Sequence, residues 1–586
     1  MSAGHAKRFL EQLAERNPDS AGRRWLFVPE DQLTERLGPL SREDPASLGV
    51  VLVESRWKMR RRPYHRQKLA LVKANLRHFA LEQAARGLAV RHVVADDPYQ
   101  RALAPIARDL GPLRMMRPAE RELRADLAPL LAEGAIEEVP HEGWLTTTDQ
   151  FIASAGREPP WKMDAFYRHV RRETGILMDG GKPVGGKISY DTENRKRWPG
   201  EPPAAEPPSF PVDRIKEEVG AEVEADFSEH PGRLDLSALP ATVEEAEALW
   251  RWALESCLPN FGPYQDAMSE SSRTLFHTRI SALVNIHRLL PARVVADAEA
   301  AEAALASREG FIRQVIGWRE FVRHVHELTD GFREHVDPEP SIAMAPGDAG
   351  YARWADRPWA HHAGDSSAAA ELDGGASPSH LGTDQPLPVA WWGVPSGLRC
   401  LDESVKAVWD EAYGHHIARL MVLANLATLL DVSPRELTDW FWIAYADAYD
   451  WVVEPNVLGM GTYAVGPLMT TKPYVSGAAY IDRMSDHCKA CAFHPKKTCP
   501  ITPMYWDFLR RHREQLQENP RLKMPYRSLA KRSGEQQRRD RDLAQKTADT
   551  LRAGRALSPG ALSSGDLRAA PRVPEGRRLT RRARSA

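Results

Sequence analysis

The sequence predicts an α/β N-terminal domain built on a parallel sheet, followed by a mainly α-helical domain. Three short apolar runs, at residues 24–29, 49–54 and 88–95, suit buried strands, and a helical stretch between the last two has Leu69 and Phe79 on one face. A strand, a helix and a further strand in succession favour a parallel sheet. No glycine-rich phosphate loop follows these strands, which argues against a dinucleotide-binding Rossmann domain.

The second half of the chain has the periodicity of helices. Residues 180–240 are rich in Gly, Pro and Glu, which is typical of a connector. The clearest helical segments beyond it are 243–258, 269–290, 310–328, 401–430 and 434–450. The expected division of the chain is an N-terminal extension at 1–23, the α/β domain at 24–145, a connector at 146–241, the helical domain at 242–532 with an inserted loop at 337–389, and a basic disordered tail at 533–586.

Length and charge limit the functions that the chain can have. At 586 residues it is long enough for two folded domains. A net charge of −1 and a pI of about 7.1 argue against binding nucleic acid through bulk charge, so any DNA site must be a local patch. The first residues have no apolar stretch, and no run is long enough to cross a membrane. We therefore expect a cytoplasmic protein.

The spacing of the cysteines predicts a metal site. Cys488 and Cys491 form a CxxC pair, and Cys499 follows as a third ligand. Cys400, at the start of a predicted helix whose dipole would stabilise a thiolate, is preferred as the fourth ligand over Cys257, which lies in an apolar helix typical of a core. Spacing alone leaves a zinc site and an iron–sulfur cluster as equal alternatives.

Several stretches of the chain carry a resemblance to one family. Residues 439–451, which read DWFWIAYADAYDW, and residues 454–460 resemble the flavin-binding core of the iron–sulfur bacterial cryptochromes and photolyases. Four further stretches resemble the same family in the same order, at residues 260–268, 311–320, 414–421 and 483–488. The likeness covers residues 24–532 apart from the predicted insertion.

The resemblance implies a set of cofactors. They are a [4Fe–4S] cluster on Cys400, Cys488, Cys491 and Cys499, FAD in the helical domain, and a 6,7-dimethyl-8-ribityllumazine antenna in the α/β domain, with Mg²⁺ as a further candidate. The chain departs from the family in one respect, because Cys491 and Cys499 are closer together than the family's last two ligands generally are. The loop that carries these ligands is therefore trimmed.

The resemblance also assigns residues to the two chromophores. A flavin site needs a cavity that excludes water and a polar group near N5. The residues implied for FAD are Tyr264, Thr278, Ser281, Gln314, Trp318, Arg319, Asp447 and Asn456. The antenna residues implied are Asp31, Gln32 and Glu54, which follow predicted strands. Taken singly, each has a structural alternative, such as core packing for Trp318, a turn for Asn456 or a helix cap for Asp31.

The resemblance implies catalytic residues for repair. His415 and His416 are the expected catalytic pair, since repair of a (6-4) photoproduct requires proton donation and imidazole titrates in the useful range. The alternative is a structural pair that bonds to the backbone. Tyr474 and Tyr480 match tyrosines that the family places at the lesion pocket and the cluster side, and we expect Tyr474 to act on the flipped lesion.

Photoreduction in this family runs through aromatic side chains. The matching positions are Trp440, Phe441 and Trp392, and the middle one is usually tyrosine. Phenylalanine cannot carry the radical, so we expect a hole to pass directly between Trp440 and Trp392 or to detour through Trp442 or Trp451. The alternative is that these tryptophans only pack in the core.

Taken together, these features predict a light-driven DNA photolyase that reverts (6-4) pyrimidine photoproducts by electron transfer from reduced FAD. UV-damaged DNA is the expected partner, and we expect a monomer without membrane contact. The alternative is a cryptochrome-like blue-light photoreceptor with the same cofactors, because fold similarity does not separate the two. A light-independent iron–sulfur electron carrier is disfavoured, since it would not explain the lesion-pocket tyrosines.

Overall fold

The N-terminal half contains the predicted parallel sheet. The computed structural model of the protein describes residues 6–334, 342–344, 354 and 375–563. The strands are β1 (Arg24–Phe27), β2 (Leu48–Ser55), β3 (Ala89–Ala95), β4 (Leu113–Met116) and β5 (Ile136–Val139). They pair in parallel in the order β3-β2-β1-β4-β5, which confirms the predicted fold class of this half. The strands β4 and β5 have no counterpart among the three predicted apolar runs.

Alternating side chains of the central strands pack on the two faces of the sheet. Phe27 and Val51 are buried in a cluster with Leu103 on one face, whereas Leu26 and Val50 are buried in another on the opposite face. Because successive residues of a strand point to opposite sides, a strand covered on both faces is apolar throughout. The helices of this domain are Pro39–Arg42, Arg56–Arg61, Arg66–Ala85, Tyr99–Leu110 and Arg121–Ala132, and Ala6–Arg16 precedes β1.

The predicted connector contains three α-helices. Residues 146–241 contain the helices Thr148–Ala155, Met163–Thr174 and Arg214–Asp226, and a short antiparallel pair of Met178–Asp179 with Lys182–Pro183. Arg214–Asp226 packs against Arg66–Ala85 through Val219 and Val223, both of which are buried. This segment is therefore part of the folded core between the two halves.

The second half is helical, as predicted, but three predicted helices are interrupted, and one of them, predicted at 434–450, ends at Ala444. Of residues 269–290, only Ser281–Asn285 is an α-helix, and Leu275 and Arg279 have φ values of 46° and 55°, which a helix cannot accommodate. Residues 401–430 break where Ala412 has a φ of 50°. The remaining α-helices are Val243–Trp252, Leu258–Tyr264, Pro291–Ala300, Leu305–Ile312, Glu320–Leu328, Arg399–Glu411, Asn425–Leu429, Pro434–Ala444, Asp450–Glu454, Ala478–Met484, His487–Ala490, Ile501–Arg511, Arg513–Leu516 and Lys523–Ala530.

The predicted insertion is partly outside the described residues, namely at 335–341, 345–353 and 355–374. Within it, Ile342–Met344 pairs with Ala376–Pro378 in an antiparallel ladder, and the Trp354 indole donates to Glu436 Oε1 at 2.8 Å. The described parts of the insertion therefore pack on the helical domain. Among all described residues, no helix combines the length and apolar character needed to span a membrane.

The prediction of a disordered tail from Ser533 is wrong for residues 534–563. Gly534–Arg552 is a helix with a capping box between Ser533 and Gln536, and it packs against Ile501–Arg511. Its buried residues Ala544 and Leu551 form a narrow stripe on a very polar helix, which is why the sequence lacks an obvious apolar period. Residues 564–586 lie outside the described residues.

Because the helix Gly534–Arg552 packs on the rest of the domain, it should contribute to the stability of the protein. A chain ending at Arg532 should have a Tm lower by about 5 °C or more than the full chain, because truncation uncovers the face on which Leu551 is buried. A chain ending at Ser563 serves as the control and should melt like the full chain. Equal Tm values for all three chains in differential scanning calorimetry would contradict a packed helix.

Candidate active site

Four π-helical turns occur in the described part of the helical domain. They are Ala253–Cys257, Arg313–Arg319, Ala418–Ala424 and Pro455–Gly461. Turns of this kind insert an extra residue into a helix and are frequent at functional sites. Arg313–Arg319 carries three of the residues expected at FAD, and Pro455–Gly461 carries Asn456. Two of the four turns therefore lie in the expected flavin region.

A buried ion pair lies at the centre of this region. Arg419 donates to both carboxylate oxygens of Asp447, at 3.0 and 2.9 Å, and Ser281 Oγ donates to Asp447 Oδ2 at 2.7 Å. Burial opposes ionisation of Asp447, but Arg419 holds its pKa below the ordinary value. Asn285 Nδ2 donates to the Asp447 carbonyl at 2.9 Å. The structure thus brings Ser281 and Asp447 into direct contact.

Arg319 joins this group through Asn285, since Arg319 Nε lies 3.4 Å from Asn285 Oδ1. The Arg319 guanidinium also lies 4.3 Å from the centre of the Trp144 ring and 5.2 Å from that of Trp451. One guanidinium nitrogen, NH2, is buried and has no hydrogen-bond partner among the described residues. An acceptor missing from the protein would complete its bonding.

The remaining residues expected at FAD have different surroundings. Gln314 donates to the Gly310 carbonyl at 3.2 Å, and Asn456 donates to the Val452 carbonyl at 2.7 Å, so both amides bond to their own helices. Trp318 is half-buried, Thr278 is buried, and Tyr264 lies apart from Asp447, with its ring against Phe276 at 5.4 Å. The structure therefore does not group Tyr264 with the ion pair.

His415 and His416 lie beside a third histidine. His277 and His415 stack with ring centres 4.4 Å apart and planes 5° apart, and both are buried. Burial lowers the pKa of His277 to about 3 and that of His415 well below the ordinary value, so both rings are neutral at pH 7. His416 is half-buried, with Nε2 3.7 Å from Asp266 Oδ1. In the part of the chain that the structure describes, these three histidines are the one group with ligand atoms within 4.8 Å of one another.

The break at Ala412 explains how these histidines reach the site. The Ala446 amide donates to the Ala412 carbonyl at 3.0 Å, and Arg419 Nε donates to the Gly414 carbonyl at 2.6 Å. The backbone is thereby held out of helical conformation until His416. Of the two expected tyrosines, Tyr480 joins this group, because its hydroxyl donates to Asp266 Oδ2 at 3.2 Å. Burial together with the Asp191 carboxylate raises the pKa of Tyr474.

The four predicted ligand cysteines converge. Burial raises the pKa of Cys400 well above the ordinary value, and the neighbouring Cys499, Cys488 and Cys491 raise it further. Burial also raises the pKa of Cys488 to about 11 and that of Cys499 to about 12. Thiols with such pKa values become thiolates at pH 7 only when a metal binds. Cys257 lies apart, with its Sγ 3.6 Å from the His277 carbonyl oxygen.

The three residues expected at the antenna lie near the carboxyl edge of the sheet, but their hydrogen bonding differs. Asp31 is buried, and its Oδ1 has no partner among the described residues; burial raises its pKa to about 6. Gln32 donates to the Met116 carbonyl at 3.1 Å. Both oxygens of Glu54 are already bonded, because Arg77 donates to each, at 2.7 and 3.1 Å. Asp31 is therefore available to a ligand, whereas Glu54 is not.

A row of indoles runs outward from the helix Pro434–Ala444. The ring centres of Trp440 and Trp409 are 5.8 Å apart, and those of Trp409 and Trp392 are 5.3 Å apart. Trp440 Nε1 and Trp409 Nε1 both donate to the Trp391 carbonyl, at 3.0 and 2.9 Å, which fixes the two rings relative to each other. Phe441 instead stacks on Tyr445 at 5.3 Å. Trp409 therefore lies between the two predicted electron-transfer tryptophans.

Comparison with known proteins identifies the family. A family profile described as deoxyribodipyrimidine photo-lyase-related protein matches residues 26–238. A (6-4) photolyase of Agrobacterium fabrum is 32% identical over 552 residues, which cover 90% of this chain and 99% of the relative. The chain belongs to the bacterial photolyase and cryptochrome family. The family predicted from the sequence motifs is confirmed.

Two solved structures of photolyases and cryptochromes also align with this family member. A class III photolyase of Agrobacterium tumefaciens is 13% identical, with 91% of this chain and 98% of that chain covered and a TM-score of 0.47. A cryptochrome of Synechocystis sp. PCC6803 is also 13% identical, with 75% and 82% covered and a TM-score of 0.47. The assignment to the family rests on the sequence identity of the Agrobacterium fabrum relative.

Sequence reasoning missed two residues of this family member's site. His277 adjoins Thr278, but residues 269–290 were expected to be helical, and a helix would have placed His277 differently. Trp409 lies in a helix where an aromatic residue is usually a core residue. Only the contacts of His277 with His415 and of Trp409 with Trp440 indicate a function for these two residues.

Proposed function

We propose that this protein is a DNA photolyase that uses light and a bound FAD to revert (6-4) pyrimidine photoproducts. The observation that carries the proposal is the 32% identity, over nearly the whole length of both chains, to a relative named (6-4) photolyase. The histidine group beside the expected flavin region supports it, because this repair requires a proton donor next to the electron donor.

The residues of the flavin region fit the cofactor. The Tyr445 hydroxyl is buried and has no hydrogen-bond partner among the described residues, as is also true of Arg319 NH2. Such groups are rare unless a ligand or water completes them. FAD, when bound, supplies the electron that light makes available. Asp447, Arg419 and Ser281 would hold one polar edge of the cavity rigid, because each of the three bonds to another of them.

His415 and His416 have different environments, which suggests different tasks. His415 is buried, stacked on His277 and neutral, so it can orient a substrate but carries no charge at pH 7. His416 is half-buried, and Asp266 can orient its ring so that the imidazole donates a proton to the lesion. Asp266 is itself fixed by the Tyr480 hydroxyl. We therefore assign proton donation to His416.

A [4Fe–4S] cluster on Cys400, Cys488, Cys491 and Cys499 suits the arrangement of these thiols better than zinc. Zinc bonds sulfur at about 2.3 Å in a tetrahedron, which requires sulfur atoms about 3.8 Å apart. Among the described residues, no three cysteines have their sulfur atoms within 4.8 Å of one another. The wider separation favours a multi-iron cluster over a single ion.

The two other cofactors receive different support. The unpartnered oxygen of Asp31, close to Gln32 at the sheet edge, supports a ribityllumazine antenna there, although Glu54 would not contribute to it. Mg²⁺ stays a prediction, because the described residues contain no group of three carboxylates close enough to share an ion. UV-damaged DNA as the partner follows from the proposed reaction.

Repair of defined lesions tests the proposal. Reduced protein should restore the bases of an oligonucleotide with a (6-4) product under blue light, and His416→Ala should keep FAD but lose this repair. His169→Ala, which changes a surface histidine paired with Glu173, is the control. Repair of cyclobutane dimers alone would contradict the proposed substrate, and repair of neither lesion by FAD-loaded protein would favour a photoreceptor. Full repair by His416→Ala would exclude His416 as the donor.

Metal analysis tests the cluster. Purified protein should contain about four iron atoms per chain and little zinc. Cys491→Ser should lower the iron content, whereas Cys257→Ser, which changes the cysteine outside the group, should leave it unchanged. One zinc per chain without iron would contradict the assignment.

Photoreduction tests the role of Trp409. Because Phe441 cannot carry a radical and Trp409 bridges Trp440 and Trp392, Trp409→Phe should slow blue-light reduction of FAD by a thiol donor as strongly as Trp440→Phe does. Trp506→Phe is the matched control, since that indole contacts Tyr505, with ring centres 5.1 Å apart, and lies outside the row. Wild-type rates in Trp409→Phe with FAD retained would show that the row is only packing.

A further inference from the structure

A second cavity lies between the sheet and the helical domain, beside the flavin region, because two of the rings that line it, Trp144 and Trp451, also contact Arg319. It has a volume of about 300 Å³. Arg117 and Arg124 line it after β4, His141 lines it after β5, and Arg323 lines it from the helix Glu320–Leu328. The carboxyl ends of parallel strands are a common place for ligands, and this volume is at the lower end of small-molecule sites. None of the expected antenna residues lines it.

The described lining of this cavity is rich in positive charge. It includes three guanidiniums and one carboxylate, Glu327. Glu327 is shared, because Arg323 donates to it at 3.0 Å and Arg117 at 3.2 Å. Arg124 donates to the carbonyl oxygens of Pro118 and Ala119, at 3.0 and 2.6 Å. These hydrogen-bond partners are neutral carbonyl groups and not carboxylates. Burial lowers the pKa of Arg124 and of Arg323.

Three buried N–H donors of the lining have no acceptor among the described residues. They are Arg323 Nε, Trp451 Nε1 and His141 Nε2. The His141 ring accepts the Gly143 amide on Nδ1 at 2.9 Å, so in its neutral form the hydrogen is on Nε2. A buried donor without an acceptor costs free energy, and native proteins retain few of them. Three unpaired donors around one cavity indicate that the cavity binds a ligand with several hydrogen-bond acceptors.

We propose that this cavity binds a small organic anion through a phosphate or carboxylate group. Positive charge and unpaired donors favour an anion over a neutral ligand. The rings of Trp144 and Trp451, which are perpendicular with centres 5.1 Å apart, provide an apolar wall for the organic part of the ligand. Ordered water is the competing occupant, because water also accepts hydrogen bonds. Water does not neutralise charge, so binding of an anion separates the two. This inference does not depend on the proposed photolyase activity.

The holoprotein can be tested directly. Mass spectrometry of denatured protein shows whether an anion other than FAD copurifies at about one per chain. Isothermal titration of wild type then uses inorganic phosphate, adenosine 5′-monophosphate and benzoate as probes, with adenosine as the neutral control. If only benzoate binds, the cavity recognises a carboxylate group. If inorganic phosphate and adenosine 5′-monophosphate bind, the cavity recognises a phosphate group.

Two variants connect the binding to this cavity. Trp451→Phe removes one N–H while keeping an aromatic ring, and Arg323→Gln removes the charge; each should weaken the anion by about tenfold or more, because each deletes a hydrogen bond to a charged group. Arg168→Gln, on an exposed arginine that pairs with Asp164, is the control and should bind like wild type. The proposal fails if no anion copurifies and no probe binds more tightly than adenosine, or if both variants bind like the control.

Discussion

The helix Arg66–Ala85 buries charged side chains that can be stable only when every partner is in place. Arg77 bonds to three carboxylates, those of Glu54 on β2 and of Glu218 and Glu222 on the helix Arg214–Asp226. Lys73 bonds to Glu54 and Glu222, at 2.9 Å in each case. A buried charge that lost its partner would cost about 3–5 kcal/mol. The network therefore fixes the sheet relative to the segment that follows it.

The same helix fixes the flavin region. Its first turn carries Lys68, which donates to the carbonyl oxygens of Trp442 and Ala448 on either side of the 445–447 segment. Near its other end, Glu82 pairs with both terminal nitrogens of Arg288 at 2.7 Å, just beyond Asn285. Asp447 and Asn285 are thus held from both ends of one helix. The candidate site depends on contacts between the two halves of the chain as much as on its own residues.

The proposed photolyase chemistry needs several kinds of environment close together, and the structure provides them by differences in burial. Neutral, buried His277 and His415 lie beside half-buried His416, so the three rings of one group differ in their access to solvent. The indole row leads away from the site along one shared carbonyl, that of Trp391. The four cysteines converge from the helix Arg399–Glu411 and from the segment 488–499. Each function has its own residues, and none is shared.

The sequence by itself determined the features that depend on local pattern. Apolar runs predicted β1, β2 and β3, the CxxC pair with Cys499 predicted a metal site, and the motif at residues 439–451 predicted the family. Prediction from the sequence failed at residues 269–280, where the tertiary structure overrides a helix-like pattern. It also failed at Gly534–Arg552, because this polar helix buries only a few small residues. Local periodicity describes a residue's own turn or strand and says little about remote neighbours.

Tertiary structure alone decided which separated residues meet. It placed His277 against His415, Trp409 between Trp440 and Trp392, and Arg117 with Arg323 around a second cavity. It also showed that the Glu54 carboxylate is bonded to Arg77, whereas one oxygen of Asp31 has no hydrogen-bond partner among the described residues. These pairings depend on how separate elements pack against one another, and the energy that selects them comes from burial and hydrogen bonding of the complete fold.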